Sequence, residues 1–302
     1  GLQSDMLLGN SMVSLLADVG IMFEAQKLFD GLSHRNDWSW NSLIRGYINS
    51  GSPDLALTLY QQMQIDSVYP SPHVIVGLLK ACTKLKNLQF GLQMHIEVVR
   101  RGFITSNVFV GSAVVALYSK CGSLAIAKEL FYCLPEQNVV AWTSLVTGYV
   151  EHEDYVEAFR CLEQMKLEGV FPNTVTYICS LKACSGMKDI VEGWKIHVEI
   201  GTQSLSRNDV VVGNALVDMY AKCGYVDFAK TVFDKLPIRD TVSWTSLISG
   251  HAEHGDGQEA LRYFEKMQSD GVIPDGHTFA CILKVCCTIG ATLKGQEMHD
   301  KI

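Results

Sequence analysis

The chain repeats itself every 102 residues, and this period constrains its fold more than any other feature. Trp40, Trp142 and Trp244 are spaced by that interval, as are Met63, Met165 and Met267, Pro70, Pro172 and Pro274, and His95, His197 and His299. A period of this kind belongs to units that bury their apolar faces only against their neighbours, so a stacked array is expected. Each block subdivides. Residues 6–36, 108–138 and 210–240 form a 31-residue type; 37–71, 139–173 and 241–275 a 35-residue type; 72–107 and 174–209 a 36-residue type, which restarts at 276 and is cut off at 302. Residues 1–5 are the tail of a preceding unit. The 302 residues are therefore expected to be one quasi-linear domain of about nine units. A chain that starts and stops inside a repeat is expected to be a piece of a longer protein.

Every unit has the pattern of two helices. Trp142, Val146 and Tyr149 fall at i, i+4 and i+7, one helix face. Gly20, Gly122 and Gly224 in the 31-residue type, and Gly51 and Gly255 in the 35-residue type, stand where a helix ends in a left-handed residue. Glu153 takes that place in the middle copy, so its turn is expected to be weaker. Ala56, Ala158 and Ala260 on the second helix permit close approach, and Pro135 and Pro237 stop the second helix of the short units. Gly91, Gly193 and Gly295 lie inside a helical pattern, which points to a close-packed neighbouring backbone. The sum is about eighteen helices and no sheet.

A formal charge of −7 argues against a nonspecific nucleic-acid or membrane-surface binder, which would normally carry a basic excess. The ten cysteines include no CxxC pair, and Cys82, Cys184 and Cys286 follow the repeat interval, as do Cys121 and Cys223. They are expected to be reduced packing residues. No apolar run approaches the ~20 residues that span a bilayer.

One position varies inside a constant frame. The residue after each repeat tryptophan is Asn41, Thr143 or Thr245, and its equivalent in the short units is Asn10, Ser112 or Asn214, always a short polar side chain. Three residues earlier, on the same helix face, stand Leu7, Trp38, Phe109, Val140, Val211 and Val242, able to press on a base plane. Stacking of that kind is worth roughly 1–3 kcal/mol per base.

Segments such as VVAWTSLVTGYVEHEDYVEAFRCLEQMKLEGVFPN and VVVGNALVDMYAKCGYVDFAKTVFDKLP resemble the pentatricopeptide repeat family, in the subclass that alternates P, L and S motifs. Residues 6–36, 108–138 and 210–240 correspond to S, 37–71, 139–173 and 241–275 to P, and 72–107, 174–209 and the truncated 276–302 to L. The resemblance implies an all-α, right-handed α-solenoid superhelix of helix-turn-helix repeats. It also implies sequence-specific binding of single-stranded RNA, one base per repeat, in mitochondria or plastids, for C-to-U editing or RNA processing. It implies no cofactor, membrane or small-molecule substrate; editing-factor proteins are a further expected partner. The alternative is a helical scaffold that docks such proteins through its L-type units.

In the family the fifth and last residues of a repeat read a base together. Carried onto this chain, the pairs are Asn10 with Asn36, Asn41 with Ser71, Ser112 with Asn138, Thr143 with Asn173, Asn214 with Asp240, and Thr245 with Asp275. A carboxylate only accepts and so suits the ring N–H of U or G, whereas an amide also donates and suits A or C. A short Ser or Thr leaves room for a purine. The expected series is pyrimidine, pyrimidine, gap, A, A, gap, U, G. The gaps are the L-type units, whose fifth residues Val76, Ile178 and Ala280 are apolar, leaving Asn107 and Asp209 without a partner. Lys84, Lys120 and Lys222, at thirteenth positions, are candidates for phosphate, although Asp18, Glu151 and Glu253 stand at equivalent places.

Other motifs are weaker. His251-Ala252-Glu253 matches the H-x-E of zinc deaminases but lacks P-C-x-x-C downstream. His95, His197 and His299 are expected to be packing histidines, and Cys286-Cys287 is no chelating spacing. Trp38 and Trp194 have no counterparts in the other blocks, and Trp38 occupies the stacking position. These residues hold no catalytic constellation, so an enzyme is not expected within them.

Overall fold

A computed structural model describes residues 2–66, 68–202 and 209–299, with side chains from residue 7 onward except those of 297 and 299. The described residues are helical throughout their regular structure, without strands, and none of their helices is long and apolar enough to cross a membrane. Two compact units are present, Gly1–His152 and Glu153–Ile302.

In the first unit the helices are α1 (Leu2–Val19), α2 (Met22–Asp30), α3 (Asp37–Asn49), α4 (Pro53–Ile65), α5 (Pro72–Leu85), α6 (Leu88–Arg100), α7 (Phe103–Ser106), α8 (Val108–Lys120), α9 (Leu124–Cys133) and α10 (Val139–Glu151). In the second they are α11 (Tyr155–Leu167), α12 (Thr174–Met187), α13 (Ile190–Thr202), α14 (Val210–Lys222), α15 (Val226–Asp234), α16 (Thr241–Glu253), α17 (Gly257–Ser269), α18 (Gly276–Thr288) and α19 (Thr292–His299). The count exceeds eighteen because of α7, a single turn that starts after left-handed Gly102 and is tied back by the Ser106 hydroxyl donating to the Gly102 carbonyl at 2.8 Å. Helix α1 also runs through the repeat boundary expected at residue 6.

Within each unit the first helices pack on one another, α1 on α3, α3 on α5, α5 on α8 and α8 on α10, then α12 on α14, α14 on α16 and α16 on α18. Second helices pack on the first helix of their own repeat and of the next, as α4 does on α3 and α5. The repeat tryptophans lock this arrangement. Trp40, Trp142 and Trp244 are fully buried and meet Phe29, Phe131 and Phe233 of the preceding repeat edge-on, with ring centroids 4.6, 4.4 and 4.7 Å apart. Truncating a buried tryptophan of this kind to alanine costs about 3–5 kcal/mol.

Glu153 adopts a left-handed conformation, φ +62°, where Gly51 and Gly255 have φ +88°, so the middle turn carries strain its copies avoid. Gly91 and Gly193 are close-packed as expected, but against a side chain rather than a backbone. A Cβ on them would lie 2.5 Å from Leu117 Cδ2 and from Met219 Sδ respectively, on the first helix of the next repeat. At Gly295 the nearest atom, Cys286 Cβ, is at an ordinary 3.5 Å. All ten cysteines are free, and burial pushes the Cys82 and Cys184 thiols up to about 12, which suits packing and not nucleophilic chemistry.

Candidate nucleic-acid interface

The start of each first helix sorts its side chains by direction. In the P-type copies the third and fourth residues, Ser39 with Trp40 and Ser243 with Trp244, are buried, while the second residue points out. Leu7, Trp38, Phe109, Val140, Val211 and Val242 are all exposed, between 52% and 73%. The first helices thus present an apolar side chain to solvent at one recurrent position. The fifth residues lie one turn on and deeper. Asn10, Ser112, Thr143, Asn214 and Thr245 keep under a tenth of their surface, and Asn41 is half-buried.

The last residue of each repeat is the N-cap of the next first helix. Asn36 accepts from the Ser39 N–H at 2.9 Å, Asn138 from Val140 and Ala141 at 2.9 Å, Asn173 from Thr176 at 2.9 Å, Asp240 from Ser243 at 2.9 Å and Asp275 from Thr278 at 2.8 Å. Asn107 and Asp209, the last residues of L-type units, cap α8 and α14 in the same way. Ser71 makes no such bond and precedes Pro72, which lacks an N–H. This capping duty escaped the sequence reading, although short Asn, Asp or Ser just ahead of each helix was its signal.

Several expected pairs are in direct contact. Asn138 Nδ2 donates to Ser112 Oγ at 3.0 Å, and Asn214 Nδ2 donates to both oxygens of Asp240 at 3.0 Å. The Asn36 N–H donates to Asn10 Oδ1 at 3.4 Å, while Asn10 Nδ2 donates to the His34 carbonyl at 3.4 Å. Thr245 reaches Asp275 through Thr278, with Thr245 Oγ1 2.6 Å from Thr278 Oγ1, which donates to Asp275 Oδ1 at 2.7 Å. The Thr278 amide, and then its hydroxyl, hold the Asp275 carboxyl below the usual carboxylate range. Thr143 Oγ1 donates to the Val139 carbonyl at 2.7 Å in the first unit, and Asn173 caps α12 in the second. Among the described residues Asn214 Oδ1 is buried without a donor, an uncompensated acceptor turned away from Asp240.

In the first unit this face carries two recesses of about 390 and 490 Å³. The first holds Asn41 and the second holds Ser112 and Val140, and Val76, Lys80 and Phe109 border both. The three lysines expected at phosphate already have partners within the protein, and Lys84 and Lys120 also border the larger recess. Lys84 donates to the Ile48 carbonyl at 3.2 Å, Lys120 pairs with Glu151, and Lys222 pairs with Asp218 at 2.9 Å. Lys80, which borders both recesses, was missed; its signal is the recurrence as Lys182 and Lys284.

The histidines pack. His95 and His197 Nδ1 lie 2.8 Å from the Tyr118 and Tyr220 hydroxyls, and the His299 side chain lies outside the described residues. His251 stacks on Tyr263 with centroids 5.0 Å apart, and its nearest carboxylate, Asp256, is 3.7 Å away, beyond hydrogen-bond reach. No group of three potential metal ligands occurs among the described residues. Trp194 packs edge-on against Phe228 at 5.2 Å, and both it and Trp38 are exposed.

Stacked two-helix repeats with a polar row on their first helices define a helical-repeat solenoid protein. Models of the PPR repeat family match residues 137–186 and 239–288, and the PPR repeat model matches 38–68 and 214–239. Pentatricopeptide repeat-containing protein At2g33680 of Arabidopsis thaliana is 36% identical over all of this chain and 42% of its own length. The chloroplastic protein At4g18520 of the same plant is 35% identical over 94% of this chain and 46% of its own, and the mitochondrial At3g09040 is 32% identical over 100% and 29%. The chain belongs to the pentatricopeptide repeat family, and it spans less than half the length of these three relatives. Relatives named chloroplastic or mitochondrial bear out the organellar localisation that the resemblance implies. The crystal structure of the pentatricopeptide repeat protein PPR10 in complex with an 18-nt psaJ RNA element superposes with a TM-score of 0.79 at 18% identity, over 97% of this chain and 44% of that one. That likeness shows the fold, an α-solenoid.

Proposed function

We propose that this chain is a PLS-type, sequence-specific single-stranded RNA-binding module, one base per repeat, which targets organellar C-to-U editing or RNA processing. The observation that carries the reading is the recurrent trio on the first-helix layer: an exposed apolar second residue, a recessed polar fifth residue and a capping last residue within reach of it. A base lying on the first would present its edge to the other two. The RNA-bound state of PPR10, whose fold this chain shares, supports the same conclusion. The base series runs pyrimidine, pyrimidine, gap, A, A, gap, U, G from 5′ to 3′. In a gel shift, an RNA carrying that series binds more tightly than one with the A-A pair changed to G-G; equal binding by a folded chain refutes the reading.

One observation favours a second role, a docking scaffold for editing-factor proteins. A mostly apolar recess of about 340 Å³ lies between α13 of an L-type unit and α14 and α15, lined by Trp194, His197, Tyr220 and Phe228. A partner seated there would be insensitive to changes in the first-helix polar row.

A further inference from the structure

Lys80 stands one helical turn beyond Val76 on α5, on the same face, and borders both recesses of the first unit, beside Asn41, Phe109 and Ser112. The other L-type units repeat the arrangement, with Lys182 four residues after Ile178 on α12 and Lys284 four residues after Ala280 on α18. All three side chains are exposed, and among the described residues none forms a hydrogen bond or ion pair. No acid lies three or four residues to either side of any of them on its helix. Packing therefore does not account for these lysines, and neither does helix stabilisation through charge pairs. Lys84, Lys120 and Lys222 differ in this respect, since each is tied to a carbonyl or a carboxylate. On a chain of net charge −7, three unpaired ammonium groups recur at one position of one repeat type, and the first of them borders the candidate interface.

We infer that the L-type repeats hold the RNA backbone instead of a base, with Lys80, Lys182 and Lys284 each contacting a phosphodiester oxygen. An apolar fifth residue offers no hydrogen bond to a base edge, and the ammonium one turn on meets the strand where it passes over. The gaps in the base series are then points of attachment. This inference rests on the RNA-binding reading above.

The test is the salt dependence of binding to the single-stranded RNA of the expected series. Each phosphate neutralised contributes roughly 0.7 to the slope of log K against log salt on single strands, so three contacts contribute about 2. The triple variant K80Q/K182Q/K284Q is expected to show a slope shallower by about 2, and to lose roughly 20-fold less affinity across a fourfold rise in salt. Its preference for A-A over G-G stays. The matched variant K27Q/K230Q/K266Q, with three exposed lysines on the second helices α2, α15 and α17, keeps the wild-type slope. An unchanged slope in the first variant, or an equal fall in both, overturns the inference while RNA binding stands. Absence of RNA binding by the wild-type chain overturns both.

Discussion

Replacing Asp240 by Asn separates the two duties of a repeat's last residue. Asp240 caps α16 through the Ser243 N–H at 2.9 Å and takes the Asn214 amide on both its oxygens at 3.0 Å. Asn caps as well as Asp, so the cap survives; the loss is the carboxylate's interaction with the helix N-terminus, about 0.3–1 kcal/mol. Asp240→Ala removes the cap too and costs about 1 kcal/mol more. The larger effect falls on Asn214. Its Nδ2 faces Asp240 because a carboxylate only accepts, and this leaves Oδ1 buried and without a donor. In Asp240→Asn the new amide nitrogen would oppose the Asn214 amide nitrogen, so the Asn214 amide turns over and its nitrogen takes the place of Oδ1. The new amide nitrogen at 240 then donates one N–H to Asn214 and offers the other where the carboxylate offered an acceptor. Preference at that base is expected to move from U, which presents a ring N–H, towards C, which presents a ring acceptor. A mismatched buried polar group costs about 1–3 kcal/mol, or roughly 5- to 150-fold in relative affinity. Anisotropy titrations with U and C at that position, alongside thermal melts of both proteins, read the two effects separately. A folded Asp240→Asn protein that still prefers U refutes the argument.

Two further outcomes follow from local strain and burial. Glu153→Gly relieves a left-handed turn worth about 1–2 kcal/mol, offset by about 0.5–1 kcal/mol of glycine chain entropy, so denaturant unfolding should show a gain of roughly 0.5–1 kcal/mol; a loss refutes the strain. Burial lowers the pKa of His95, His197 and His251 below 6.5, and at His251 it outweighs Asp256, Glu259 and Asp227. The folded chain thus binds fewer protons than the unfolded one, and stability present above about pH 6.5 is lost as pH falls towards the folded values. Melting temperature should drop on acidification, and less so in His251→Phe; an identical drop clears His251.

Periodicity made the helices, their turns and the tryptophan core legible in the sequence, because each depends on residues a few positions apart that recur every 102. Glu153 was recognisable as a strained turn for the same reason. Contacts that depend on side-chain reach were not. Nothing in the spacing tells Lys120 to pair with Glu151 of the next repeat, or Lys84 to donate to the Ile48 carbonyl, because a lysine ammonium on four methylenes reaches several acceptors. The packing of Gly91 and Gly193 against Leu117 and Met219 likewise depends on the rotamers of another repeat. Turn α7 follows Gly102 in the first L-type unit, and its counterpart in the second lies outside the described residues.

The cap geometry bears on why the last position takes so few residue types. Except at Ser71, which precedes Pro72, that side chain accepts a backbone N–H two or three residues on, which short Asn and Asp do and longer or apolar side chains do not. Stability of the frame therefore narrows the set before any base is present. Within it, Asn and Asp differ in what remains after capping: Asn138 keeps an Nδ2 donor, spent on Ser112, while Asp240 keeps an acceptor that orients Asn214. Under the proposed function, one oxygen holds the helix and the other atom of the same group sets the hydrogen-bonding polarity of the pair. Exchange between Asn and Asp is then the change that alters base preference at least cost to the fold, and exchange to any residue that cannot cap costs both together.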